Sequence, residues 1–161
     1  MWVEQSALST WIREAPTVFA FPSILFMHTL GMGFLAGMNA AMDLRILGFA
    51  PSLPLAPMER LFRVLWSAFC LSAVSGVLLL IAYPTKALTN PLFYIKLTFV
   101  ALAVTDIRLL KNHVFRDLSL DEKPVPRKGK LLAGASLFCW VVVITAGRLL
   151  AYTYSRLLVT G

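Results

Sequence analysis

The chain has 161 residues, of which 58% are hydrophobic and 14% charged, and its mean hydropathy is +0.76. That balance excludes an ordinary soluble globular protein and leaves no length for a separate soluble catalytic domain. The 15 Lys and Arg outnumber the 8 Asp and Glu, but they collect beside apolar runs instead of forming a basic tract, which reads as a membrane-topology signal and not as a nucleic-acid surface.

The first 15 residues carry Glu4 and Glu14 and no cation before Arg13. The basic leader of a cleaved signal is missing, so the N-terminus is expected to be retained. Trp2, Leu8, Trp11 and Ile12 form the apolar side of a short helix suited to the membrane interface.

A first span is predicted over about 16–47, with Pro22 bending it near its outer end. Pro51, Pro54 and Pro57 then stop the helix. A second span follows over about 58–83, a short turn with Thr85, Lys86 and Asn90, and a third span over about 91–112. A polar loop over 113–130 leads to a fourth span over about 131–154.

These elements define an all-α fold, one integral membrane domain over 1–161 built as a four-helix transmembrane bundle with a short N-terminal interfacial helix. Arg45, Arg60 and Arg63 flank the first connection, while Lys111, Arg116, Lys123, Arg127, Lys128 and Lys130 flank the third. Both connections are therefore expected on the cytoplasmic side, with the two termini opposite. Asp43-Leu44-Arg45-Ile46-Leu47 and Asp106-Ile107-Arg108-Leu109-Leu110 echo each other at the inner ends of the first and third spans. Two related helical hairpins explain the echo, as does a shared need for a charged inner terminus.

At about 100° per residue, His28, Met32, Asn39 and Asp43 make one narrow polar stripe, which should face protein. Gly33 and Gly37 form a GxxxG on another face, prepared for close contact with a neighbour. Ala68, Ser72 and Gly76 make a small-residue ridge on the second span, and Gly134, Ala135 and Ser136 lighten the fourth, all read as packing surfaces. Cys70 and Cys139 lie in apolar stretches without a CxxC and read as buried packing residues. Trp66 and Trp140 read as bundle fillers.

A rise of about 1.5 Å per residue places His28, Lys96 and Arg148 at one depth in the outer third of the membrane. Tyr152 and Thr145 share the Arg148 face. Nitrogen-bearing side chains at one level call for an anionic or carbonyl-bearing ligand. Haem b fits, with His28 on iron, Gly31 leaving room for the porphyrin, and Lys96, Arg148 and Tyr152 holding propionates; a quinone, whose carbonyls accept hydrogen bonds, fits too. The plainer reading has Lys96 and Arg148 snorkelling to lipid phosphates and His28 bonding between helices. His113 lies about 20 Å from the His28 level, too far for both to ligate one iron. Met27, Met38 and Met42 give no continuous sulfur-lined path for a metal-ion transporter. There is no phosphate loop, HExxH or GxSxG, so no autonomous enzyme activity is expected.

The run His28-Thr29-Leu30-Gly31, then Gly37 and Asp43-Leu44-Arg45-Ile46-Leu47-Gly48, resembles a bacterial group of uncharacterised four-helix inner-membrane proteins. Asn90-Pro91 with Lys96, and Ala146-Gly147-Arg148 with Ala151-Tyr152, look like that group's later motifs, so the likeness runs from about Trp11 to Tyr154. It implies the bacterial inner membrane and a four-helix fold. A more distant likeness is to copper-resistance D-type membrane proteins and to cytochromes of the b561 type, from which this chain departs by lacking paired histidines at matching depths. The leading expectation is a small membrane subunit that binds haem b or quinone near the outer face and serves a larger redox assembly. The alternative is a cofactor-free accessory subunit that packs against other membrane subunits through its small-residue ridges.

Overall fold

The computed structural model describes residues 4–115 and 125–157, with side chains described as far as Thr153. Trp2, Arg116 and Lys123, which carried part of the sequence reading, lie outside the described residues. The described chain is helical, with no strand: α1 (Ala7–Glu14), α2 (Phe21–Leu47), a 3-10 turn (Ala56–Arg60), α3 (Leu61–Ala82), α4 (Pro84–Leu88), α5 (Pro91–His113) and α6 (Arg127–Leu157).

Three of these segments, Phe21–Leu47, Ala56–Ala82 and Arg127–Thr153, are long and apolar enough to cross a membrane, and they mark the chain as membrane-embedded. Their apolar residues face outward in large numbers, among them Phe26, Val74, Phe138 and Val141. In water such a surface would aggregate, and in lipid it needs no further partner. α5 is less apolar because it carries Lys96, Asp106, Arg108 and Lys111.

The boundaries follow local chemistry. α2 starts at Phe21, with Pro22 in its first turn. Proline has no N–H to offer there, and none is needed. Pro22 thus opens the helix where a bend had been expected, and the predicted start at residue 16 gives way to a turn. α2 ends at Gly48, whose φ of 111° lets its N–H and that of Phe49 return to the Arg45 and Leu44 carbonyls. The predicted turn before α5 contains the short helix α4. Asn90 caps α5 by accepting from the Leu92 N–H, while its own amide donates to Thr153 Oγ1 on α6 at 2.9 Å. α6 begins a turn earlier than the predicted residue 131.

α2 packs chiefly on α3 and α5 chiefly on α6; an α2–α6 contact joins the two pairs. The core at these seams is Leu35, Met42, Ile46, Phe62, Leu65, Ile107, Leu110 and Val143 with the indole of Trp140. Small residues set how closely the helices approach. A Cβ on Gly31 would stand 3.0 Å from the Ala68 carbonyl oxygen and 3.0 Å from the Ser72 nitrogen, so α2 and α3 touch backbone to backbone there.

α1 is present and packs on α3. Ile12 is buried, whereas Leu8 and Trp11 are half exposed. Ser9 Oγ and an Arg13 guanidinium N–H both donate to the Ala82 carbonyl at 3.3 Å, which satisfies an otherwise orphaned acceptor at the end of α3.

Candidate functional site

His28 sits on the face of α2 that meets α3. Its Nδ1 lies 2.9 Å from the Ser72 carbonyl oxygen and 3.3 Å from Ser75 Oγ. A carbonyl only accepts, so the bond places a proton on Nδ1, and in the neutral ring Nε2 then carries the free lone pair. Among the described residues Nε2 has no hydrogen-bond partner. Gly76 admits the ring: a Cβ there would stand 3.1 Å from His28 Cε1.

Lys96 comes in from α5. It is half-buried, its ammonium is near enough to act electrostatically on His28, and its stem lies over Gly147 of α6, with Nζ 3.6 Å from where a Cβ would be. His28, Ser72, Ser75, Lys96 and Gly147 thus bring α2, α3, α5 and α6 together at one level.

The other members of the predicted constellation lie elsewhere. Arg148 follows Gly147 but is exposed, as is Thr145, and Tyr152 is 64% exposed, all on the outer side of α6. Gly31 faces the α3 backbone at contact distance instead of open space. His113 is exposed at the end of α5, its Nδ1 2.9 Å from the Leu109 carbonyl. Cys139 is buried, whereas Cys70 is exposed, because the α3 ridge that meets α2 runs through Ala68, Ser72 and Ser75, and Cys70 points away from it. Gly33 and Gly37 meet nothing within 4 Å; with Phe26, Leu30, Phe34 and Met38 they line an open apolar groove of about 540 Å³ along α2.

The other half of the polar stripe makes a second centre that the sequence reading did not assemble. Asn39 Nδ2 donates to Asp43 Oδ2 at 2.6 Å and to Ser136 Oγ of α6 at 2.6 Å. Ser136 also lies against Asp43 and against Asp106 of α5. Asp43 and Ser136 have no exposed surface, Asn39 has 2% and Asp106 7%. Asp106 had read as an inner helix-end charge. Its signal was the echo with Asp43; Ser136 and Ser75 gave none beyond their small size.

No group of three or more His, Cys, Asp or Glu side chains is placed to hold a metal ion among the described residues. No protein-family model, curated protein or solved structure matches the chain.

Proposed function

We propose that this protein is a small subunit of the bacterial inner membrane that crosses it four times and holds a quinone head group at the His28–Lys96 level, in the service of a larger redox assembly. The observation that carries the reading is the hydrogen bond from His28 Nδ1 to the Ser72 carbonyl. It orients the imidazole and leaves Nε2 as an acceptor, the device by which proteins prepare a histidine for a ligand. Nε2 accepts from a hydroxyl of the reduced, quinol form, while the Lys96 ammonium donates to a head-group oxygen of either form, the quinone's carbonyl or the quinol's hydroxyl. A half-buried ammonium with no ion-pair partner among the described residues is otherwise costly within a membrane. A flat head group asks less space of this site than a porphyrin, since Gly31 and Gly76 are both filled by neighbours.

The test is organic extraction of protein purified in native lipid, with quinone quantified by chromatography and haem by its pyridine haemochrome. Near-stoichiometric quinone, lost on His28→Ala and on Lys96→Met, is expected. Haem in place of quinone would reassign Nε2 to iron, and absence of both would refute the reading.

A second reading rests on the open face of α2. Gly33 and Gly37 expose backbone along the groove, and such surfaces let a partner's transmembrane helix approach closely. A cofactor-free accessory subunit docked there should leave its complex when both glycines are replaced by Leu, while remaining inserted.

A further inference from the structure

Asn39, Asp43, Asp106 and Ser136 converge from α2, α5 and α6, and a count of their donors leaves a deficit. The Asn39 amide has two N–H bonds, one spent on Asp43 Oδ2 and the other on Ser136 Oγ. The Ser136 hydroxyl has one proton, for one carboxylate at a time. Four carboxylate oxygens therefore share two donors. The deficit appears where it should: Asp43 Oδ1 and Asp106 Oδ2 are both buried without a partner.

Charge tells the same story. Asp43 and Asp106 act on each other electrostatically, and no ion pair reaches either among the described residues. Arg45 is engaged with the Leu53 and Pro51 carbonyls, Arg108 lies over the Trp66 ring and Lys111 over the Phe62 ring, while Arg60 and Arg63 are exposed. From α6 the pair is faced by Ser136 and by the Cys139 thiol near Asp106, neither of them a cation. Two like charges in an apolar interior are not tolerated without a compensating positive particle. A bridging water would mend the hydrogen bonds and leave the charge.

We infer that Asp43 and Asp106 form a proton-binding site, holding at least one exchangeable proton between two carboxyl groups borne on separate helices. A metal cation fits less well. Sodium or calcium takes several oxygen ligands, whereas Asn39 presents its NH₂ and only two oxygens here are free. Protonation forms one carboxyl O–H bond as one O–H bond of a hydronium ion breaks and water is released, and it supplies both the missing donor and the missing positive charge. The site lies about 22 Å along α2 from His28, so it stands independently of any ligand at that level.

The experiment is infrared spectroscopy of the lipid-reconstituted full chain at neutral pH, where exposed carboxyl groups are ionised and a carboxylic-acid C=O band marks a buried protonated one. The expected result is such a band, shifted in D₂O and by ¹³C-carboxyl aspartate labelling, and lost in Asp43→Asn/Asp106→Asn. Each single Asn variant, an isostere of the neutral acid, should melt no lower than the parent. The labelled parent decides the matter even where a variant fails to insert. No aspartate band in the parent overturns the proposal, and a melting temperature raised by Na⁺ or Ca²⁺ would then identify a metal site. A band that survives the double replacement, or one that does not respond to D₂O, overturns it equally.

Discussion

Asn39 shows how much one side chain arranges here. Its amide joins α2 to α6 and holds one oxygen of Asp43 in a region with almost no exposed surface. Replacement by Leu removes two donors at once and leaves Asp43 and Ser136 short of partners, at a cost of about 1–3 kcal/mol. Thermal unfolding in detergent should show the loss, and Asn39→Asp should be worse, since it adds a third carboxylate. His28 behaves differently. Its contacts to Ser72 and Ser75 are only part-buried, so His28→Gln is expected to keep the helix contact and stability while giving up quinone retention. A variant that loses ligand and stability together would mean that His28 is chiefly an interhelical tie.

Between elements, the four glycines Gly31, Gly33, Gly37 and Gly48 separate cleanly by what surrounds them. Gly31 is pressed on the α3 backbone, where nothing gives way easily. Gly31→Val should therefore push α2 from α3 and destabilise the isolated protein by about 1–3 kcal/mol, read from its melting curve. Gly33→Val and Gly37→Val enter open space and should leave that curve unchanged. Any effect they have belongs to whatever covers the groove. Gly48, with its positive φ, is a third kind: Ala there keeps the contacts and strains the backbone, by about 1–2 kcal/mol.

At the scale of the whole molecule, the fourth crossing rests on α5. Its 23 residues span about 34 Å, enough for the hydrocarbon core. Its polar residues have places to go: Asp106 is buried against α6, Lys96 lies over Gly147, and Arg108 and Lys111 sit near one end, over Trp66 and Phe62. If α5 crosses, single cysteines at Thr89 and Lys128, in a background lacking Cys70 and Cys139, will react with an impermeant thiol reagent from opposite sides. Thr89 should label from outside, together with Gln5, and Ser52 only after permeabilisation. Labelling of Thr89 and Lys128 from the same side would remove the fourth span.

Composition and period alone determined that the chain is helical and lives in lipid, because a run of some 20 apolar residues has few other solutions. Prolines and glycines placed the breaks to within a few residues, erring where Pro22 starts a helix instead of bending one. The depth arithmetic along each helix likewise brought His28 and Lys96 to one level. Which way a side chain turns around its helix was another matter. Arg148 shares that level but faces outward, since the neighbours that α6 meets decide its inner face, and a membrane sequence with apolar residues on all sides carries only a weak imprint of that choice. For the same reason the meeting of Asp43, Asp106 and Ser136 was hidden. Their residues are 30 to 93 positions apart in the chain, and only the packing of α2 and α5 against α6 brings them together.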